Sequence, residues 1–336
     1  MSAKKPPRKH EWWKYPNVTV YYRPPGSPET WLDAASLGRF YGQLQRLLDF
    51  EAGKVLHVDA NQLDKSMHAR SSDTLPGNPY NLVRRQHVVS REHLSWFAGA
   101  DGRVCVLHKS HPRIKPFFPP NKIFCAPRLW SDSVELWAHS IEEVFYREAR
   151  WAASAIRAGK PYQIINQDAI TDYWTLCRSR VRVLNCPPQP INLNNQVRDH
   201  FTQAEKDELE YEGFSIYSTH GDETRSDAAV MIRRLMLMDK KAFINAGVKW
   251  RIGTTPDDAV ILPDLFSLLA VPITHNLIIF GDPESTEEAP PACSIENYEP
   301  LVAALYAGSR NFTVARTMAT LEHVRILPDP PRGQPG

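Results

Sequence analysis

Glu135, His139 and Glu142 follow one another at spacings of four and three residues, so on a helix turning about 100° per residue they line up as one narrow polar stripe. Carboxylate, imidazole and carboxylate are donors that a divalent metal takes from a rigid helix, and they could equally supply an acid and a base. The same stripe is also the pattern of a solvated helix face with local ion pairs. Val134, Trp137, Ile141, Val144 and Ala152 gather on another side, which sets the stripe on the flank of the apolar face or in solvent. A metal there needs ligands from a second helix, and the sequence does not identify one.

Other residues could complete such a site. His87 suits a general base or a ligand at neutral pH, the alternative being a structural ring that bridges backbone groups at a strand start, near His93. Asp257 and Asp258 follow a strand-like segment, where loops often present catalytic carboxylates, although Thr-Pro-Asp-Asp also reads as a plain turn. Cys105, His108 and His111 have the chemistry of zinc ligands, but on a strand Cys105 and His108 point to opposite faces. Arg84-Arg85, Arg233-Arg234, Lys240-Lys241 and the helical pair Arg178 and Arg182, with Arg180 between them, would grip phosphate if folding gathered them. Otherwise they are solvated charges balanced by acids.

The elements that must position these groups are legible in outline. Arg103 to Lys109 alternates as a strand after an Asp-Gly turn. A long helix is expected over 133–158, opened by a capping box of Asp132 and Glu135 and stopped at Gly159-Lys160-Pro161. Further helices are expected at 167–184, at 203–212 with Thr202 and Glu205 as a second box, at 226–246 and near 297–307, with strands at 248–255 and 273–281. Nearer the start, a strand is expected at 18–22 and a helix at 31–50. Runs of helices followed by runs of strands predict an α+β fold, with a helix-rich middle and a mainly antiparallel sheet built from the 86–109 and 214–281 strands.

Residues 1–80 read as an N-terminal extension or small subdomain joined through Ser71 to Pro79, 81–326 as the main domain and 327–336 as a disordered tail. With 42% apolar residues the chain of 336 has material for a sizeable core. The net charge of +2 gives no global case for a nucleic-acid or anionic-membrane partner and leaves local basic patches, or residues 1–80, as candidate surfaces for nucleic acid or protein. Ala259 to Phe280 is apolar but interrupted by Pro263, Asp264, Pro272, His275 and Asn276, which predicts sheet core and no membrane partner. Five widely spaced cysteines with no Cys-x-x-Cys pair, and no secretory apolar region at the start, predict reduced thiols and a cytoplasmic location. Glycine-rich nucleotide loops, the Gly-x-Ser-x-Gly elbow and His-Glu-x-x-His are all missing, which argues against dinucleotide enzymes, P-loop NTPases, α/β-hydrolases and zincins.

The run Gln86-His87-Val88-Val89-Ser90-Arg91-Glu92-His93-Leu94-Ser95-Trp96-Phe97-Ala98 resembles the opening signature of an uncharacterised domain-of-unknown-function family, number four-two-three-eight. That signature reads roughly K/Q-H-Y-V-P-x-x-Y-L-R-x-F, then a glycine turn and a strand. His87, Val89, Leu94 and Phe97 are in register, whereas Ser90 replaces its Pro and Ser95 its Arg. Family members carry two glutamates seven apart on a helix, matched by Glu135 and Glu142. Their Thr-Ser-Asp-x-Pro step after a Trp-bearing strand corresponds in scrambled order to Thr254-Thr255-Pro256-Asp257-Asp258 after Trp250, and a later turn to Pro272-Ile273-Thr274. The resemblance covers about residues 85 to 325 and implies fold and extent; it brings no activity with it.

Two functional expectations follow. In the first, His87, Glu135, Glu142 and Asp257 converge around a divalent metal, with Glu135, His139 and Glu142 as candidate ligands, in a metal-assisted hydrolase for which nucleic acid is one substrate class. In the second, the same residues are structural and the protein is a non-catalytic binding or interaction module.

Overall fold

Prolines fall in strands at the edges of this protein's larger sheets. The computed structural model describes residues 74–109, 111–119, 122–127, 130, 132–185, 191–192, 202–211, 217–220, 223–225, 228–256, 258–282, 292–295 and 298–327. The expected strand at 18–22, the helix at 31–50 and the tail from 328 lie outside them. In chain order the elements are β1 (Arg85–His87), α1 (Arg91–Ser95), β2 (Val104–His108), β3 (His111–Phe117), β4 (Cys125–Pro127), α2 (Asp132–Arg157), α3 (Gln167–Asn185), β5 (Ile191–Asn192), α4 (Gln203–Tyr211), β6 (Tyr217–His220) and β7 (Glu223–Arg225). Then come α5 (Ala228–Asn245), β8 (Lys249–Thr254), β9 (Leu262–Pro263), β10 (Ala270–Thr274), β11 (Leu277–Asp282), β12 (Cys293–Ser294), α6 (Glu299–Gly308), β13 (Phe312–Ala315) and α7 (Met318–Ile326). The fold is α+β.

Two compact units emerge. One takes in residues up to Gln86 with Pro127–Leu136 and Val183–Met231; the other takes in His87–Ala126, Trp137–Arg182 and the residues from Ile232 on. The first holds the small antiparallel sheet β5-β7-β6 and α4. Here the expected capping box closes: the Thr202 N–H donates to Glu205 Oε2 at 2.8 Å and the Glu205 N–H to Thr202 Oγ1 at 3.3 Å.

Asp132 and Glu135 do not form the box expected of them. Asp132 is already helical, and its Oδ1 accepts the Val83 N–H at 3.3 Å while the Glu135 carboxylate takes the Trp130 indole N–H. A backbone amide distant in sequence and an indole satisfy these carboxylates in place of the helix's own amides.

The second unit carries two four-stranded sheets, β10-β11-β8-β12 and β3-β2-β13-β9, so the strands expected to make one sheet are dispersed over these two and, for β6 and β7, the small β5-β7-β6 sheet. All pairings are antiparallel except β12 with β8. Strands β3, β9 and β10 contain prolines, and each is an edge strand, because proline has no N–H for an inner ladder. Alternate residues of β2 and β11 enter opposite clusters. Val104, Val106, Leu277 and Ile279 join a large core with Phe145, Tyr173 and Trp250, whereas Leu107 and Ile278 join a smaller one with Val302, Leu305 and Leu321 of α6 and α7.

With helices on one side of the sheet and helices on the other, these strands are buried on both faces. The helix α2 stops at Gly159, whose φ of +67° no β-carbon favours, and Lys160 N–H closes the turn on Ala155 O at 2.9 Å. The apolar run 259–280 supplies the strands β9, β10 and most of β11 with turns between them, and no helix among the described residues is long and apolar enough to cross a membrane.

Candidate functional site

Within the second unit, α2 and α3 meet along two stripes that each carry a charge in phase with their apolar residues. On α2 the buried face runs Ala138, Glu142, Phe145, Tyr146 and Ala149; on α3 it runs Ile170, Tyr173, Cys177, Arg180 and Val181. Glu142 receives a hydrogen bond from Arg180 Nη1 at 2.6 Å, and the two side chains are only 11% and 2% exposed. Phe145 stacks on Tyr173 with ring centroids 3.7 Å apart and planes 4° from parallel. A contact early in α2 with one late in α3, followed by one later in α2 with one earlier in α3, makes the helices antiparallel. Separation from water strengthens the ion pair's attraction and also makes loss of either partner costly.

A neutral polar chain continues inward from the pair. The Tyr173 hydroxyl donates to His93 Nδ1 at 2.7 Å, and His93 Nε2–H donates to the Pro272 carbonyl at 2.5 Å, an assignment that satisfies both ring nitrogens. His93 is fully buried among Phe97, Phe145 and Phe266, and burial holds its pKa down to about 4 against the opposing Pro272 bond. Ser90 caps α1, accepting the His93 N–H at 3.2 Å, and hydrogen-bonds the Tyr146 hydroxyl. Burial pushes both tyrosines upward, and it drives the Cys177 thiol to about 12 even though Arg180 pulls the other way. Nothing in this interior chain changes charge near neutral pH. It is a hydrogen-bonded strut.

His87 stands closer to the surface, at the end of β1. One ring nitrogen faces the Pro119 carbonyl, while the Cys125 sulfur sits 3.6 Å from Nε2 and 3.7 Å from Nδ1. Burial lowers the His87 pKa most; Arg180 and Arg91 lower it further, and Pro119 and Glu142 resist. A neutral imidazole results at pH 7, flanked by a thiol and by the charges of Glu142 and Arg180.

Of the sequence candidates, then, His87 and Glu142 share one electrostatic neighbourhood, and Asp257 lies outside the described residues. Glu135 belongs to the first unit, where Trp130 holds it. His139 is exposed and pairs with Glu143 at 3.1 Å. The three stripe residues therefore do not form a ligand set: one bonds an indole, one faces solvent and one is spent on a guanidinium. Among the described residues no cluster of three or more His, Cys, Asp or Glu is placed to hold a metal.

Asp258 takes a left-handed φ of 59° and pairs with Arg316 at 3.6 Å, and Arg316 in turn donates to His275 Nε2 at 3.0 Å. Three of the basic candidates meet acids as well. Arg178 and Arg182 both clamp Asp239, at 3.1 and 3.0 Å, and Lys240 bonds Asp172 at 2.8 Å.

Sequence reasoning passed over His93, Tyr146, Tyr173, Cys177 and Cys125 as partners and placed Arg180 among the phosphate-gripping charges instead of pairing it with Glu142. A signal for Arg180 existed: it falls in phase with Tyr173 and Cys177, as Glu142 does with Ala138 and Ala149, and a charge inside an apolar stripe demands an opposite charge. Compared with protein-family models, with curated proteins and with solved structures, the chain finds no match in any of the three.

Proposed function

We propose that this chain is a non-catalytic binding or interaction module, in which the polar residues of the family-like segments are structural, and that its partner is a protein met in the cytoplasm. Kinship with the uncharacterised family is part of the same proposal and rests on the register of His87, Val89, Leu94 and Phe97.

The observation that carries the reading is the engagement of Glu142 by Arg180: the charge of this buried carboxylate is already neutralised, and no second and third donor for a divalent ion gather with it among the described residues. Arg178, Arg182 and Lys240 are likewise engaged by Asp239 and Asp172, which disfavours a phosphate backbone as the ligand. Leu237 and Ile244, two turns apart on α5, remain 49% and 63% exposed, a surface better suited to a protein than to nucleic acid.

Thermal unfolding against Mg²⁺, Mn²⁺, Ca²⁺ and Zn²⁺ tests this. A metal at a hundred times its dissociation constant stabilises by about 2.7 kcal/mol, equivalent to roughly 5–10 °C for a body of this size. None of the four is expected to raise the midpoint by that amount. Glu142→Gln is expected to lower the midpoint equally with and without metal, because what it weakens is the bond to Arg180. A Mg²⁺ or Mn²⁺ shift present in the wild type and lost in both Glu142→Gln and His87→Ala would restore the metal-assisted hydrolase.

A further inference from the structure

We propose that Cys125 and His87 form a thiol–imidazole site at which Cys125 takes up small anionic disulfides as a mixed disulfide. The pair is assembled from two separate segments, the end of β1 and the start of β4, with the Val88 N–H bonded to Phe124 O at 3.1 Å beside it. The sulfur lies 3.6–3.7 Å from both ring nitrogens, within reach of a weak S–H···N hydrogen bond. Pro119 O takes the ring N–H, which orients the imidazole and leaves the other nitrogen's lone pair for the thiol proton. Two arginines, Arg180 and Arg91, act on this spot against one carboxylate, Glu142. That field draws an anionic reagent. Both Cys125 and His87 are partly exposed.

The remaining described thiols are less favourably placed. Cys177 is fully buried. At Cys105, burial and then the Asp101 charge hold the thiol protonated. Cys293 is confined to β12 beside Gly253.

The step is thiol–disulfide exchange. The Cys125 proton passes to the free nitrogen of His87, and the thiolate attacks one sulfur of the reagent. A new S–S bond forms as the reagent's own S–S bond breaks. The departing sulfur carries off the electron pair and takes up the proton, so a thiol and a disulfide become a mixed disulfide and a thiol.

The test uses the full chain, with dithiobis-nitrobenzoate as the anionic disulfide and cystamine as the cationic one. Each rate is divided by that of mercaptoethanol with the same reagent, and sites are read by peptide mass spectrometry. Cys125 is expected to react about 10-fold faster than Cys105 or Cys293, with a normalised preference for the anionic reagent of about 10-fold. His87→Gln is expected to slow Cys125 by about 10-fold, and Cys125→Ser to abolish the fast phase. Should His87→Gln fail to fold, Arg91→Gln, an exposed change, is expected to cut the anionic preference several-fold. A fast phase on another cysteine, an unchanged rate in folded His87→Gln, or an unchanged preference in Arg91→Gln overturns the proposal.

Discussion

Arg180→Ala is expected to destabilise the protein by about 3–5 kcal/mol, lowering the thermal midpoint by roughly 10 °C or more, because it strands the Glu142 carboxylate in an interior from which water is excluded. The loss far exceeds the net worth of the ion pair. Most of it is the desolvation cost of a carboxylate that keeps its charge and loses its donor.

The double variant Glu142→Met with Arg180→Met separates the two contributions. It removes both charges and fills the space with apolar side chains, so it is expected to recover most of the stability lost by Arg180→Ala. Equilibrium unfolding in urea on the two variants measures this directly. If Arg180→Ala lies within about 1 kcal/mol of wild type, the pair is not isolated from water as described, and the structural reading of Glu142 fails with it.

Whether a feature was legible in the sequence tracks how local its cause is. The Thr202 and Glu205 box closes as expected because its donors and acceptors lie within one turn of the same chain segment. The matching pattern at Asp132 and Glu135 was diverted by Val83 and Trp130, and no spacing rule announces a donor that arrives from elsewhere. Strands β3 and β13 escaped notice for opposite reasons. Two prolines made β3 unlike a strand, although an edge position tolerates them, and the four residues of β13 are too short a run to show alternation.

At the candidate site, His87 and Glu142 were picked out by type and spacing and do lie close enough to influence one another. Their chemistry was set by neighbours the sequence did not pair with them. Arg180 turned a prospective metal ligand into half of an ion pair, and Cys125 gave His87 a thiol partner from a strand 38 residues away. The narrow arc of Glu135, His139 and Glu142 was a sound inference from helical geometry. It could not reveal that one of the three would fall inside the apolar face while another stayed in solvent.

Acidification from pH 6.5 toward pH 4 is expected to remove about 3 kcal/mol of stability through His93 alone, at about 1.36 kcal/mol per pKa unit. Its pKa in the folded protein is about 4 against 6.5 for the free side chain, so across that window the unfolded chain binds a proton that the native core refuses. The contribution is therefore complete above pH 6.5, shrinks as the pH falls and is exhausted near 4. His87, also held below its ordinary value, acts with the same sign.

Asp264 acts in the opposite sense. Burial raises its pKa even though its carboxylate accepts the Arg310 and Asn311 N–H groups at 2.7 Å each, so at low pH the native state takes up that proton more readily than the unfolded chain. The loss through His93 should accordingly be steepest in the upper part of the window, before Asp264 begins to offset it. Urea midpoints measured from pH 7.5 to 4 should show this decline in wild type. The slope should be much reduced in His93→Gln, leaving the share of His87, and this variant starts less stable because glutamine cannot fit both the Tyr173 hydroxyl and the Pro272 carbonyl in the ring's geometry. A slope of the same size in both proteins would mean that the buried imidazole protonates without resistance. The chain from Ser90 through Tyr146 and Tyr173 to Pro272 would then have to be open to water rather than a strut of the core.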